Sequence, residues 1–374
     1  MFWLGYPSFT FLRRLRNSGL SLTAVALLAV SASAEPAWKL VWADEFDVDG
    51  PPNPANWTFD LGGGGWGNQE VQVYTDSLDN ARVEDGRLII EVRRIEGSGR
   101  PTYTSARLLT RGLHSWQYGR FEVRARLPRT TGTWSAVWML SENSIFPGAF
   151  WPDNGEIDIM EHVGYEEDPL YHAIRGSVPN NIHSTLHTRE RNHLGGGGIG
   201  GSTFLESATE DFNTYALNWF EDRMEFELNG EIYFVVRKSE TIPGRNPPED
   251  LSPWWPFDQP FHLILNIAVG GMWGGVFNES FFPGSPYGPS GIDHDGEWPQ
   301  RMEVEYVRVF ALADDLWRGF PRVGESYADS GSWLGMLYVS EDPWIYAFDH
   351  GWIYLPESTD SPSGAWSWWP AATP

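Results

Sequence analysis

The sequence predicts an all-β protein, a sandwich of two antiparallel sheets, and three observations carry that expectation. Aromatic residues make up 15% of the 374-residue chain, with 21 Trp, while Gly (40) and Pro (27) are abundant, the composition of strands joined by turns. Runs of alternating apolar and polar residues recur between turn signals, and helix-like periodicity is scarce. Strand and helix patterns do not alternate as they do in a parallel sheet, which leaves stacked sheets as the expected architecture.

The first 34 residues stand outside that pattern. Arg13, Arg14 and Arg16 precede an apolar run from Leu20 to Val30, and Ala-Ser-Ala at 32 to 34 offers small residues for cleavage before Glu35. This is the arrangement of a secretory signal peptide, and its apolar run is shorter than a bilayer span. Cleavage removes three arginines and no acid, which takes the net charge from −24 to −27. Nucleic acid and anionic lipid are poor partners for such a surface, whereas neutral polymers remain open. The absence of cysteine excludes disulfides, thiolate metal sites and a lipoprotein anchor. The expected product is an exported monomer that does not insert into a membrane and is extracellular, periplasmic or held at the cell surface.

Strands follow in order. Residues 81–95 alternate about an Asp85-Gly86 turn, and 118–128, 133–140 and 156–163 each read as a strand. Residues 215–236 contain Asn229-Gly230 between strand residues, a strong short hairpin signal. Residues 261–269 and 302–312 complete the set. In the last of these, alternation puts Met302, Val304, Tyr306 and Arg308 on one face and Glu303, Glu305, Val307 and Val309 on the other. The glycine-rich stretches at 61–70 and 193–201 precede no helical pattern, so they are not phosphate loops. Past residue 318 an aromatic beat sets in: Trp333 and Tyr338, Trp344 and Tyr346, Trp352 and Tyr354, then Trp366, Trp368 and Trp369. Its spacing suits short strands in a small C-terminal aromatic-rich β module.

One strand is anomalous. "GEIDIMEHVG" (155–164) places Glu156, Asp158 and Glu161 in an otherwise apolar run. Glu156 and Asp158 share a face, but Glu161 falls on the opposite one unless a one-residue bulge at about Ile159-Met160 restores the phase. With the bulge, Ile157 and Ile159 face inward and all three carboxylates face a groove. Four effective strand steps separate the outer two by about 13 Å at Cα. Side chains leaning together across a concave sheet close that to about 5 Å, the separation used in retaining glycoside hydrolysis. The spacing alone also fits a solvated strand face or a calcium site.

The neighbouring residues narrow the choice. "GEIDIMEHVG" resembles the bulged E-x-D-x-x-E signature of glycoside hydrolase family 16 in its laminarinase-like form. The resemblance runs over roughly residues 38–312, through "WADEFD", "GGGWGNQEVQVYT", "YGRFEVRARLP", "GTWSAVWML" and "LILNIAVGGMWGG". It implies a β-jelly-roll with a substrate cleft on its concave face, in a catalytic domain spanning 35–317 with the aromatic module at 318–374. The implied activity is retaining endo-hydrolysis of a neutral β-glucan, most often β-1,3-linked, without a catalytic cofactor. Mixed-linkage β-1,3-1,4-glucan, a galactan, or a binding protein without catalysis are the alternatives.

Residue by residue, the resemblance makes Glu156 the nucleophile, Glu161 the acid/base and Asp158 the assisting carboxylate. It places Trp66, Asn68, Glu70, Trp134, Trp138, His187 and Trp273 at the substrate, with His183 a surface residue. A structural Ca2+ would be held by Glu45, the Gly86 carbonyl and Glu305, although the family more often has Asp where Glu305 stands. Gln69 and Met272 also depart from the commoner pattern. Phe146, Phe150, Trp151 and Trp298, on inserted loops, are candidate sugar platforms.

Overall fold

A computed structural model of the protein describes residues 38–97, 102–145, 150–169, 172–173, 180–195, 197–243, 249–275 and 291–312, and short strands between 316 and 354. The chain divides into a leading unit, Met1–Pro36, and the unit Ala37–Pro374. The signal-peptide residues lie outside the described residues, as do Phe146, Trp333, Trp366, Trp368 and Trp369. Among the described residues no helix is long and apolar enough to cross a membrane.

Two sheets face one another. The wider one has ten strands, in the spatial order Glu231–Arg237, Arg223–Leu228, Asn213–Trp219, Gly119–Arg126, Gln300–Leu312, Arg87–Ile95, Thr102–Ser105 and Gln72–Tyr74. Trp38–Asp44 lies along Gln300–Leu312, and Ala81–Glu84 along Arg87–Ile95. The second sheet has seven strands: Ile199–Thr203, Ile182–His187, Glu156–Val163, Thr133–Ser141, Phe261–Val269, Arg107–Leu109 and Thr58–Phe59.

The expected all-antiparallel pairing holds except at one edge, where Gln72–Tyr74 runs parallel to Thr102–Ser105. Bonds to the second sheet set that direction. Val71 donates its N–H to the Val269 carbonyl at 3.0 Å, and the Gln72 side chain accepts from the Val269 N–H at 2.8 Å. The segment thus closes the side of the sandwich.

Alternation accounts for the core. Along Gly119–Arg126, Phe121, Val123 and Ala125 are fully buried and meet Val137, Met139, Ile157, Leu263 and Leu265 of the second sheet. The outward residues of the same strand pair across the convex face: Arg120 with Glu227, Arg124 with Glu305 at 2.6 Å and Arg126 with Glu303 at 2.7 Å. The hairpin turns form as their sequences require. Asp85 and Gly86 take φ of 52° and 71°, and Asn229 and Gly230 take 52° and 86°, the left-handed pair of a two-residue turn.

Two expectations need correction. In Gln300–Leu312 a register shift between Val304 and Tyr306 inverts the phase. Met302, Val304, Val307 and Val309 are therefore all buried, and Tyr306 and Arg308 point outward. The bulge at Glu305 keeps Met302, Val304, Val307 and Val309 inside. The calcium set fares no better. Both oxygens of Glu45 accept from Arg308, at 2.7 and 2.8 Å, and Glu305 is bound by Arg124. Carboxylates already neutralised by guanidinium do not suit a hard divalent cation, so Glu45, Gly86 and Glu305 do not fit the implied calcium site.

Beyond the sandwich, the strands Leu316–Trp317, Phe320–Val323, Tyr327–Asp329, Met336–Tyr338, Trp344–Ala347 and Gly351–Tyr354 pair in sequence order as a six-stranded antiparallel meander. Leu337, Val339, Ile345 and Ala347 are buried there, and the rings of Tyr327 and Tyr338 meet at 5.4 Å.

Candidate active site

The outer face of the seven-stranded sheet carries a cleft of about 910 Å³. Its floor follows from the period of two: Trp134, Ala136, Trp138 and Leu140 alternate on one strand, and His183, Thr185 and His187 on another. Between them lies Glu156–Val163. Asp158 pairs with Trp138 and Met160 with Val137, which leaves Ile159 unopposed. This is the one-residue bulge required by the spacing, and it turns Glu161 to the cleft beside Glu156 and Asp158. Ile157, Ile159 and Met160 all sink into the core.

Each acid has a partner. Trp151 donates its indole N–H to Glu156 Oε2 at 2.8 Å, and Trp134 donates to Glu161 Oε1 at 3.0 Å. His187 Nε2 lies 3.2 Å from Asp158 Oδ2 and 3.7 Å from Glu156 Oε1. Burial, then the charge of Asp158, pushes Glu156 up to about 8, and the same two causes push Glu161 up to about 8. Burial holds Asp158 well above the usual carboxylate range. Three such groups cannot all ionise together, so the cluster retains protons near neutrality. His187, Trp151 and Arg107 favour the ionised form of Glu156, while Glu161 has only Trp134 and His187. The two acids thus differ in their surroundings, with one more neighbour favouring ionisation at Glu156 than at Glu161.

Around the acids the structure gathers Trp66, Asn68, Glu70, Trp134, Trp138, His187 and Trp273 into the cleft lining. Asn68 and Gln72 donate to the two oxygens of Glu70, at 3.2 and 2.6 Å. Trp138 donates to Asn266 at 2.7 Å, and Asn266 to the Tyr74 hydroxyl at 2.9 Å. Trp134 and Trp273 meet edge to face at 5.5 Å.

Three loop and strand residues lie elsewhere than expected. His183 is in the cleft rather than at the surface: it stands opposite Glu161 in register, 5.0 Å from the Trp273 ring, with Nε2 fixed 2.8 Å from Glu166. Trp298 is packed on Tyr103 at 4.8 Å and donates to the Asp293 carbonyl, so its ring is occupied away from the cleft lining. Phe150 is 84% exposed and does not line the cleft.

Sequence reading missed Arg107. Its guanidinium lies over the rings of Trp138 and Trp66, at 4.6 and 5.0 Å, and is paired with Asp60 at 3.1 Å. It fixes the tilt of both indoles. Arg107 opens the short strand Arg107–Leu109, and a single cation there gives no sign of the indoles it meets. His193, from the glycine-rich stretch, also enters the lining.

The chain is similar to known proteins over most of its length. The family described as glycosyl hydrolases family 16 matches residues 67–279. A β-glucanase of Rhodothermus marinus is 46% identical over 74% of this chain and 86% of its own. A glucan endo-1,3-β-glucosidase of Cryptopygus antarcticus is 38% identical over 77% of this chain and 97% of its own. The X-ray structure of the laminarinase from Rhodothermus marinus superposes with a TM-score of 0.62 at 47% identity, covering 74% of this chain and 98% of that one. With the signature acids on one face of a jelly-roll cleft and likeness of this extent, the chain belongs to glycosyl hydrolases family 16.

Proposed function

We propose that the protein is an exported, retaining endo-β-1,3-glucanase that acts on a neutral, laminarin-like glucan. The observation that carries the mechanism is the bulge at Ile159, which aligns Glu156 and Glu161 in a cleft walled by indole rings. The similarity to a β-glucanase, a glucan endo-1,3-β-glucosidase and a laminarinase supports the linkage. Flat aromatic faces suit uncharged sugar rings, and a chain of net charge −24 suits an uncharged polymer.

In the first step a Glu156 oxygen attacks the anomeric carbon as Glu161 gives its proton to the departing glycosidic oxygen, which leaves a glycosyl ester on Glu156. In the second, Glu161, now ionised, takes a proton from water. The hydroxide equivalent attacks the same carbon, the ester bond breaks, and the configuration is retained. Asp158, whose ionisation burial opposes, stands between the two glutamates on the strand, with His187 Nε2 3.2 Å from its carboxyl oxygen. The leader with Arg13, Arg14 and Arg16 supports export, and N-terminal sequencing of the secreted chain should begin at Glu35.

The test compares reducing-sugar release by residues 35–374 from laminarin, mixed-linkage β-glucan, carboxymethyl-cellulose and agarose. Fastest release from laminarin, lowered by about four orders of magnitude in Glu156→Gln, is the expected result. Preference for another polymer moves the substrate and leaves the mechanism. A folded Glu156→Gln variant with near-normal turnover removes the nucleophile assignment.

A further inference from the structure

Trp151 lies on an inserted loop, yet its polar edge points at the reacting carboxylate. Its indole N–H reaches Glu156 Oε2 at 2.8 Å, whereas Glu156 Oε1 has no hydrogen bond among the described residues and lies 3.7 Å from His187 Nε2. One oxygen is held and the other is left for attack. The indole is itself held. Its ring centroid is 5.4 Å from that of His187 and 5.3 Å from that of His193, and the two imidazoles meet at 5.2 Å. Two residues on, Asp153 accepts a two-pronged bond from Arg189, 2.9 Å at each oxygen. The turn closes with the Asp153 N–H on the Phe150 carbonyl at 2.7 Å and the Gly155 N–H on the Pro152 carbonyl at 2.9 Å.

Trp151 and His193, from two loop segments, thus meet beside a single acid. A sugar platform needs only a free ring face; this ring has an imidazole near it from each of two segments, and its N–H is spent on Glu156.

We propose that Trp151 is the positioning residue of the nucleophile: its N–H fixes which oxygen of Glu156 faces the anomeric carbon, and His187 and His193 clamp the indole. The inference rests on the assignment of Glu156 as nucleophile. The charged and titratable groups facing Glu156 are Asp158 and Glu161 on its own strand, His187 on the neighbouring strand and Arg107 across the cleft. Of these, neither His187 nor Arg107 shares a hydrogen bond with Glu156 among the described residues. The Trp151 bond is therefore the directional contact that favours the ionised nucleophile.

Trp151→Phe keeps the ring and removes the donor. A hydrogen bond to a charged group corresponds to about 10- to 100-fold in rate. The expected result is a loss of that size in kcat on laminarin, with KM little changed, and an acid limb of the kcat/KM profile moved up by about one pH unit. Thermal unfolding should stay where it is. An unmoved limb with a raised KM would make the ring a sugar platform and overturn the proposal. A second readout does not depend on the variant. In the wild-type chain the Trp151 indole N–H proton resonance should shift with the same midpoint as the acid limb, and a resonance indifferent to pH overturns the proposal as well. A wild-type chain that cleaves no glucan, or a Glu156→Gln variant that still turns over, fails at the underlying assignment instead, which separates the two.

Discussion

At the scale of the residue, the site works by making two chemically equal carboxylates unequal. Burial lifts both Glu156 and Glu161 to about 8, and their neighbours then divide the roles. Trp151, His187 and Arg107 favour the ionised form of Glu156, which suits its proposed role as nucleophile, and Glu161 is the proposed proton donor. Glu161→Gln should slow laminarin hydrolysis by about 10²- to 10⁴-fold. The first step on an aryl glycoside with a strongly acidic phenol should be spared, because that leaving group departs without a proton. A burst of phenol followed by slow turnover is the expected trace, since water activation in the second step is also lost. Equal loss in both steps and on both substrates would show that Glu161 is not the acid. The three acids were legible in the sequence because a buried strand has no other reason to collect them. Arg107 and His183 were not: a single cation or imidazole in a strand gives no sign of which indole or carboxylate it will meet across the sheet.

At the scale of the element, the strand of the three acids absorbs one extra residue and depends on where it stops. Deleting Ile159 would remove the extra residue and leave Glu161 four regular steps from Glu156, still on the cleft face. No carboxylate is driven into the core, and the expected outcome is a chain that keeps its cooperative unfolding transition; loss of that transition would show that the bulge itself holds the strand in register. The strand ends at Gly164, where a Cβ would sit 2.2 Å from the Thr130 carbonyl oxygen and 2.6 Å from Thr133 Oγ1. The Thr130 carbonyl is backbone and cannot swing away. Gly164→Ala should cost about 1 to 3 kcal/mol, measured as a lower urea midpoint at an unchanged slope; an unchanged midpoint would show that this end of the strand is loose. The bulge at Ile159 was readable because three acids needed it. The bulge at Glu305 was not, since plain alternation of Met302 to Val309 gave a self-consistent but wrong assignment of faces.

At the scale of the whole molecule, the cleft trades stability for chemistry. Glu161 has its pKa raised by folding, so its favourable contribution is complete below about 4.5 and is lost as pH rises through about 8. Above that range the folded protein holds a buried charge that the unfolded chain would solvate. Glu161→Gln cannot ionise, and it should melt higher than wild type at pH 8.5, by on the order of 2 kcal/mol. At pH 4 the two should melt alike. A variant less stable than wild type at both pH values would mean that the carboxylate is a structural asset. The convex face obeys the opposite logic: the Arg308 guanidinium holds Glu45 below its ordinary value, and that contribution fades as pH falls.

Sequence alone determined the all-β class, the hairpins at Asp85-Gly86 and Asn229-Gly230, the strand with its three acids and the bulge that unites them. These are local properties, set by a period of two and by which residues tolerate a left-handed turn. Only the tertiary structure decided that Arg107 lies between Trp66 and Trp138, that Glu45 and Glu305 belong to arginines rather than to calcium, and that Trp298 packs on Tyr103. It alone brought Trp151 to the nucleophile, from a loop with no strand periodicity to place it. Those pairings join residues far apart in the chain, and the register of neighbouring strands and loops, not the residues' own spacing, selects the partner.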